Sequence, residues 1–217
     1  MTRAKRVLDI ASAGVGVALL APLFALLAIL VKAEDAGPVF YRQQRVGYRG
    51  RPFRMWKFRT MVPDAEARGL PLTVGRDPRL TRIGAWLRGL KLDELPQLFN
   101  VLVGDMSLVG PRPEVPRYVR LYSAQERRVL ELVPGITDEA SIRYADESTI
   151  LAAAADPERV YVEEIMREKI RLNLAYAARA TFWTDVRVVL ATLRRLVSSS
   201  GDLRQVALRR PAQSPTR

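Results

Sequence analysis

The stretch from Ile10 to Val31 constrains this chain more than any other, because it holds 22 consecutive residues without a charge. A helix of that length is roughly 33 Å long, which is about one hydrocarbon thickness of a bilayer. A cleaved signal peptide would have a shorter apolar region followed by a small-residue cleavage site. The charged segment KAEDAGPVFYRQQR follows instead, so the sequence predicts a helix that stays inserted in a membrane.

Basic residues flank this apolar run on both sides. Lys32 follows it directly, and seven further Lys or Arg residues lie between Gly37 and Val62, with no acidic residue among them. The basic residues on the other side are Arg3, Lys5 and Arg6. The positive-inside rule draws both ends to the cytoplasm, which a re-entrant helix satisfies and a straight span does not.

Two residues of the apolar region bear on this topology. Pro22 lies near the middle of the run, where it would interrupt the backbone hydrogen bonds and kink the helix. Asp9 lies at the entrance, where we expect it to pair with a neighbouring Arg or Lys at the membrane interface. A straight span with a tolerated proline explains the apolar length equally well. The residues alone therefore leave both topologies open.

Composition excludes several classes of chemistry. The 217 residues contain no Cys and no His, so there is no disulfide framework, no imidazole base and no ordinary zinc site. An enzyme of this composition depends on carboxylate, amine, guanidinium and hydroxyl groups, and any metal would be a hard cation such as Mg²⁺. The formal net charge of +12 predicts an anionic partner, which is nucleic acid, a phosphorylated substrate or an acidic membrane surface.

Beyond the apolar run the sequence predicts an α+β domain that is mainly helical, with a short β element. The segment from Gly37 to Met61 is predicted to form short strands or an extended hairpin, and its interleaved basic and aromatic residues suit a membrane interface. Two helices are predicted within Leu80–Asp105, and the second of them ends at Gly104. A third helix is predicted to start at the Ser123/Glu126 capping box and run towards Leu132. Two more are predicted, one from Asp156 and Pro157 to about Ala178 and one from Thr184 to Val197.

Two adjacent carboxylates, Asp93 and Glu94, lie just ahead of Pro96. Proline is tolerated within the first turn of a helix, so a helix is predicted to begin close to Asp93. The pair then has two interpretations that can coexist. Asp93 is an N-cap with Glu94 complementing the helix dipole, or the two converge as an active site beside a phosphate-binding N-terminus.

Fixed and clustered cations form a second group of candidates. The motif GPRPE places a proline on each side of Arg112 and ends at Glu114. A guanidinium held in this way suits bidentate phosphate binding, although a rigid surface loop has the same pattern. Lys57 and Arg59 alternate onto one face of an extended segment, which is either an anion-binding or a solvated basic face. Together these features suit phosphoryl chemistry on a lipid-linked substrate.

The segments KRVLDI, KFRTM and LDELPQLFNVLVGDMSLVGPRP resemble the bacterial sugar transferase family, which are monotopic polyprenyl-phosphate phosphoglycosyl transferases. The resemblance covers roughly residues 5–135, with a weaker helical match to about residue 196. It implies a re-entrant membrane helix and transfer of a sugar-1-phosphate from a UDP-sugar to undecaprenyl phosphate, with Mg²⁺ and release of UMP. Such a reaction initiates synthesis of a surface glycan such as exopolysaccharide, O-antigen or glycoprotein, at the cytoplasmic face of the bacterial inner membrane.

The resemblance also implies roles for particular residues. The nucleophilic aspartate of the family falls on Asp93, which would form a covalent aspartyl-phosphosugar intermediate, and Glu94 is its partner near the metal. The expected substrate-binding residues are Lys57, Arg59, Arg88, Arg112 and Glu114. On this basis the chain divides into a re-entrant membrane helix at 1–36, a catalytic domain at 37–197 with interfacial amphipathic helices, and a mobile tail at 198–217. The expected partners are the two substrates and membrane lipids, not nucleic acid, and a homodimer is compatible with the sequence.

The chain departs from many members of this family in three places. PGIT is followed by DEASIRYADES, Asn173 stands near a position that is often acidic, and Ala21 precedes the kinking proline where relatives often have Ser. The first two differences bear on which sugar or nucleotide is recognised. The competing interpretation is a catalytically silent membrane scaffold of a glycan assembly complex. A membrane-bound CDP-alcohol phosphotransferase would need several spans, and a nucleic-acid binder would have no use for the apolar run.

Overall fold

The computed structural model describes residues 2–65, 72–75 and 77–208, with side chains described as far as residue 195. The helices are α1 (Arg3–Asp35), α2 (Arg82–Gly89), α3 (Gln97–Val103), α4 (Pro116–Val119), α5 (Glu139–Arg143), α6 (Glu147–Ala152), α7 (Pro157–Val160), α8 (Met166–Ala177) and α9 (Phe182–Leu208). Short 3₁₀ turns occupy Tyr48–Gly50, Leu92–Glu94 and Glu126–Glu131, and a π-helical segment, Tyr161–Ile165, joins α7 to α8. These elements agree with the predicted mainly helical α+β fold.

Two small sheets complete the fold. Strands β1 (Phe40–Val46) and β2 (Pro52–Phe58) form the predicted antiparallel hairpin, with Phe40 opposite Phe58. Strands β3 (Ser107–Val109) and β4 (Gly135–Thr137) pair in parallel, with Val109 opposite Thr137. The second sheet was not predicted, because strands of three residues carry too little alternation to be recognised.

Helix α1 carries the apolar run and is long and apolar enough to cross a membrane. It begins at the Thr2 cap, where the Lys5 backbone N–H donates to the Thr2 hydroxyl at 3.2 Å, and it continues through Pro22 without interruption. The side chains of Val15, Leu19 and several other apolar residues on its outer face are exposed. The helix therefore has one apolar face free and the opposite face packed on the domain.

The N-terminal part of α1 is attached to the domain by polar contacts. Asp9 is buried and accepts hydrogen bonds from the Ser107 hydroxyl at 2.7 Å and the Leu108 backbone N–H at 3.2 Å. The predicted pairing of Asp9 with Arg or Lys is therefore wrong, because the short strand β3 supplies neutral donors. Arg6 donates to the backbone carbonyl of Leu102 at 2.9 Å, at the end of α3, where helix carbonyls lack internal donors.

The C-terminal end of α1 is attached to the same domain. The Glu34 carboxylate accepts hydrogen bonds from the backbone N–H groups of Arg82 and Ile83, at the start of α2. Asp35 forms an ion pair with Arg59, which follows β2 directly. Both ends of the apolar helix thus contact one compact body.

Aromatic residues hold the middle of α1 against the hairpin and α3. The ring centroid of Phe24 lies 5.6 Å from that of Phe58 and 5.7 Å from that of Phe99. Leu27 and Leu87 are completely buried beside them. Each contact brings a different element to α1: β2 through Phe58, α3 through Phe99 and α2 through Leu87.

Helix α9 packs against α8 and the start of α1. Asp185 accepts hydrogen bonds from the Tyr176 hydroxyl at 2.6 Å and from Lys5. The helix continues to Leu208, beyond the predicted end at Val197, so the first part of the predicted tail is helical. The rest of that tail, 209–217, lies outside the described residues, and its predicted mobility stays a prediction.

Local capping signals in the sequence correspond to real helix ends. Ser123 and Glu126 form the reciprocal bonds of a capping box, although the turn that follows is 3₁₀ rather than α-helical. Asp156 caps α7 by accepting from the Arg159 N–H at 3.0 Å. Gly104 ends α3 with a φ of +99°, in the left-handed region that favours glycine.

The pairing of β3 with β4 requires glycine at the point of closest approach. An added Cβ on Gly135 would lie 2.1 Å from the backbone nitrogen of Gly110, the residue that starts the GPRPE loop. A Cβ on Gly14, in α1, would meet no heavy atom within 4 Å. The two glycines therefore give a matched pair of substitutions.

We expect Gly135→Ala to lower the free energy of unfolding by about 1–3 kcal/mol, because one backbone must move to admit the methyl group. Gly14→Ala should cause no loss, since alanine favours a helix interior over glycine. Thermal unfolding of both variants in the same detergent measures this. Equal stability of the two variants would contradict the close backbone contact.

Candidate active site

Glu94 is the residue at which three separate segments meet. It ends the 3₁₀ turn Leu92–Glu94, and its carboxylate accepts a hydrogen bond from the Lys57 ammonium of β2 at 3.2 Å. The guanidinium of Arg112, in the GPRPE loop, donates to both Glu94 oxygens, with Nη1 to Oε2 at 2.9 Å. This fork-to-carboxylate geometry is the strong, charge-assisted form of hydrogen bond.

Asp93 precedes Glu94 but has a different environment. Its side chain is 3% exposed, and its Oδ1 accepts no hydrogen bond from any residue that the structure describes. A helical turn does begin beside Asp93, as predicted, but Asp93 lies inside the turn and does not cap it. Helix α3 begins only at Gln97, directly after Pro96. The N-cap interpretation of Asp93 is therefore wrong.

The electrostatics of the two carboxyls differ accordingly. Burial raises the pKa of Asp93 above its ordinary value; the Lys57 charge opposes this and the Glu94 charge adds to it. Burial also acts to raise the pKa of Glu94, but the charges of Arg112 and Lys57 outweigh it and hold that pKa well below its ordinary value. Glu94 is therefore an ionised carboxylate whose charge is balanced by Arg112 and Lys57. Asp93 is a buried carboxyl whose Oδ1 has no hydrogen-bond donor among the described residues.

Arg112 is held by its backbone as well as by its guanidinium. Its N–H donates to the Asp138 carboxylate at 3.0 Å, and Asp138 also accepts from the Ser141 N–H and hydroxyl. Arg45, from β1, donates to the carbonyl of Pro113 at 3.0 Å. The loop is thus fixed on both sides of Arg112, in agreement with the predicted rigid placement of this guanidinium.

Arg88 is a further cation close to Asp93. It lies in the last turn of α2, and its guanidinium donates to the hydroxyls of Thr60 at 2.9 Å and Thr73 at 2.6 Å. Its charge acts to lower the pKa of Asp93, against the effect of burial. Arg88 therefore adds to the positive charge that Lys57 and Arg112 supply around the two carboxylates.

Two of the predicted substrate-binding residues have other partners. Arg59 is buried and bonded to Asp35 of α1, so it joins the membrane helix to the hairpin. Glu114 accepts hydrogen bonds from Arg45 at 3.4 Å and from the Tyr161 hydroxyl. The structure therefore brings together the predicted residues Lys57, Arg88, Asp93, Glu94 and Arg112, while Arg59 and Glu114 lie in adjoining networks.

Sequence reasoning missed three residues that shape this site. Asp138 caps α5 and could have been recognised from the DEAS pattern, in which an acidic residue precedes a short helix. Arg45 and Tyr161 carry no local signal, because their roles depend on contacts between β1, the GPRPE loop and the π-helical segment. A π-helical segment is often found at a functional site, but it is not readable from sequence.

The site opens into a cleft of about 1440 Å³. Its lining includes Lys57, Arg88, Asp93, Glu94 and Arg112. Ligand pockets usually enclose about 300–1,000 Å³, so this cleft has room for more than one substrate. A cationic cleft with a buried carboxylate at its base suits displacement at a phosphorus atom.

The two carboxylates fit a metal ion whose other ligands are mostly supplied by the substrate. No group of three acidic side chains converges within the described part of the chain. Mg²⁺ is commonly held by one or two carboxylates together with substrate phosphates, so a larger cluster is not needed. Asp93 and Glu94 both line the cleft, and both oxygens of Glu94 accept bonds from cations.

Comparison with known proteins gives a consistent result. The chain matches the family model described as bacterial sugar transferase over residues 1–199. It is 37% identical over 202 residues to the UDP-N-acetylgalactosamine-undecaprenyl-phosphate N-acetylgalactosaminephosphotransferase of Aeromonas hydrophila, covering 91% of this chain and 44% of that protein. It is 39% identical over 201 residues to the UDP-glucose:undecaprenyl-phosphate glucose-1-phosphate transferase of Caulobacter vibrioides, covering 90% of this chain and 70% of that protein.

A third relative is similar over the same extent. The undecaprenyl-phosphate glucose phosphotransferase of Komagataeibacter xylinus is 37% identical over 202 residues, which cover 90% of this chain and 36% of that protein. The chain thus spans less than half the length of the Aeromonas and Komagataeibacter relatives.

The different surroundings of the two carboxylates predict opposite effects on stability. Glu94→Gln should lower the free energy of unfolding by about 2–4 kcal/mol, because it leaves Lys57 and Arg112 buried without their anion. Asp93→Asn should leave stability unchanged or raise it by about 1 kcal/mol, because it removes a buried charge that lacks a donor on Oδ1. Thermal unfolding of the two variants tests this, and an equal loss in both would contradict the assignment.

Proposed function

This chain belongs to the bacterial sugar transferase family, and we propose that it is an enzyme that transfers a sugar-1-phosphate from a UDP-sugar to undecaprenyl phosphate. The products are an undecaprenyl-diphosphate-sugar and UMP. The names of the relatives from Aeromonas and Caulobacter support both substrates. The observation that carries the proposal is the buried Asp93, whose Oδ1 has no donor among the described residues, beside a Glu94 whose charge is balanced by Lys57 and Arg112.

The reaction runs in two displacements at the same phosphorus atom. The Asp93 carboxylate forms a bond to the phosphorus next to the sugar, while the bond from that phosphorus to the bridging oxygen breaks and its electron pair leaves with UMP. The resulting acyl phosphate carries the sugar. A phosphate oxygen of undecaprenyl phosphate then attacks the phosphorus, and the Asp93 carboxylate leaves. A carboxylate suits both steps, because it is ionised at neutral pH and is a good leaving group.

The cations bind and orient the diphosphate. Arg112 has a fixed backbone and a planar guanidinium, which suits two phosphate oxygens, and Lys57 supplies a compact charge beside it. Arg88 supplies further positive charge near Asp93. Because the Lys57 and Glu94 side chains are mostly buried, these charges stabilise the transition state more strongly than they would at an open surface.

We propose that Mg²⁺ is the cofactor and that Asp93 and Glu94 hold it together with the substrate phosphates. The support is that both carboxylates line the cleft and that Mg²⁺ prefers carboxylate and phosphate oxygen. When bound, the ion would offset the negative charge of the diphosphate and of the departing UMP. The protein's own groups position the phosphorus against Asp93.

We propose that α1 is re-entrant and that the domain lies at the cytoplasmic face of the bacterial inner membrane. Supporting this are the contacts that both ends of α1 make with one domain, Asp9 with Ser107 near the start and Asp35 with Arg59 at the end. A straight span would carry these ends to opposite sides of the bilayer. The basic flanks favour the cytoplasmic side for both. There the cleft would lie near the headgroups, where the lipid phosphate is found.

The covalent route predicts two separable half-reactions. With UDP-sugar and no lipid acceptor, UMP should form rapidly in an amount equal to the enzyme. Asp93→Asn should show no such burst, because an amide cannot form the acyl phosphate. Glu94→Gln should keep a burst of the same amplitude but form it more slowly, since Asp93 remains. Quenched-flow measurement of UMP, together with parallel steady-state lines at several acceptor concentrations, tests the route.

Direct attack by the lipid phosphate is the rival route. It predicts intersecting steady-state lines and no UMP without lipid. Both results together would exclude covalent catalysis by Asp93, even if Asp93→Asn were inactive.

The topology can be tested because the chain has no cysteine of its own. Single cysteines at Thr2 and Ala33 lie on opposite ends of α1 and replace exposed side chains. Ala33 is preferable to Gly37, where a side chain would meet the Arg59 guanidinium. We expect an impermeant thiol reagent to label neither site from the periplasm and both sites in inverted membranes. Periplasmic labelling of one site would contradict the re-entrant helix.

A further inference from the structure

Gln97 is a buried amide that the mechanism above does not use. Its side chain is completely buried in the first turn of α3. Neither its Nε2 nor its Oε1 has a hydrogen-bond partner among the residues described by the structure. A buried amide in this state typically costs about 1–3 kcal/mol, so natural proteins rarely keep one without a reason.

Asn100 shows what a structural amide on the same helix looks like. It is also completely buried, and all of its hydrogen-bonding groups are used. Its oxygen accepts from the Trp56 N–H at 2.9 Å, and its nitrogen donates to the Arg54 carbonyl at 2.9 Å and to Asp105 at 3.2 Å. Asn100 therefore attaches α3 to the hairpin, whereas Gln97 makes no comparable attachment.

The unpartnered atoms belong to two residues that are four positions apart. Within the described residues, the buried side-chain polar atoms without a hydrogen bond are Oδ1 of Asp93 and the two amide atoms of Gln97. The backbone between them is helical, with 3₁₀-type hydrogen bonds from the Leu95 N–H to the Leu92 carbonyl and from the Leu98 N–H to the Leu95 carbonyl. Asp93 and Gln97 are therefore separated by little more than one helical turn.

Gln97 is shielded from the cleft. Asp93, Glu94, Leu95 and Leu98 line the cleft, but Gln97 does not and has no exposed surface. Its amide is therefore out of reach of substrate. A neutral amide can orient a carboxylate without neutralising its charge, whereas Lys57 and Arg112 neutralise the charge of Glu94.

We propose that Gln97 is a positioning residue for Asp93, an inference that rests on the proposed covalent route. In the reacting state Gln97 Nε2–H donates to Asp93 Oδ1, so that Oδ2 points into the cleft towards phosphorus. When the Oδ2–phosphorus bond forms and the bond to the UMP oxygen breaks, Oδ1 becomes the carbonyl oxygen of the acyl phosphate. It is still an acceptor, so the same donor serves both states.

The test compares Gln97→Met with Asn100→Leu in the full-length chain. Methionine matches the length of glutamine without its polar atoms, so it should leave stability unchanged or raise it. We expect Gln97→Met to slow the UMP burst by about tenfold or more, because a loosely oriented nucleophile reacts less often. The concentration of UDP-sugar that half-saturates the burst rate should not change. Asn100→Leu should lower the unfolding temperature, because it removes three hydrogen bonds.

Each outcome decides the inference. Slower burst kinetics with undiminished stability and unchanged UDP-sugar saturation support a positioning role. A wild-type burst rate in Gln97→Met overturns it, even though the covalent route still stands. A loss of stability as large as that of Asn100→Leu also overturns it, because the amide would then be structural. Absence of a UMP burst in the wild-type enzyme would instead overturn the covalent route, and the inference with it.

Discussion

The hydrogen-bonded ion pairs of Glu94 with Arg112 and Lys57 are the interaction on which the rest of the site depends. They join β2, the 3₁₀ turn and the GPRPE loop at one carboxylate. Because Lys57 and Arg112 both bind Glu94, its neighbour Asp93 is left buried, and its Oδ1 has no hydrogen bond from the part of the chain that the structure describes. Two carboxylates that are adjacent in sequence thereby acquire different properties, one as an anchor for cations and the other as a group available for reaction.

Helix α1 holds the same segments in place from the other side. It contacts the end of β2 through Arg59, α3 through Phe99 and β3 through Ser107. These are the elements that carry or adjoin Lys57, the Asp93–Glu94 turn and the loop of Arg112. The arrangement of the proposed catalytic groups and the attachment of the domain to its apolar helix are therefore not independent. A change in how α1 packs would be transmitted directly to the site.

Much of this architecture could be predicted from local sequence signals, and the exceptions share one cause. Gly104 and Asp156 mark helix ends correctly, because a cap depends on a few adjacent residues. Asp9 was assigned the wrong kind of partner, because its donors lie on β3, far away in sequence. The alternation of Lys57 and Arg59 predicted that both side chains lie on one face of the strand. It gave no sign that Asp35 of α1 would form an ion pair with Arg59.

The central claim is that Asp93, and not Glu94, becomes covalently attached to the phosphosugar. Borohydride reduces an acyl phosphate to an alcohol, so it converts a phosphorylated aspartate into homoserine and leaves a free carboxylate unchanged. We expect enzyme treated with UDP-sugar and then with borohydride to contain homoserine at position 93 and unmodified glutamate at position 94, as read by fragmentation of that peptide. Reduction at position 94, or an unmodified Asp93 under conditions in which UMP has been released, would contradict the account.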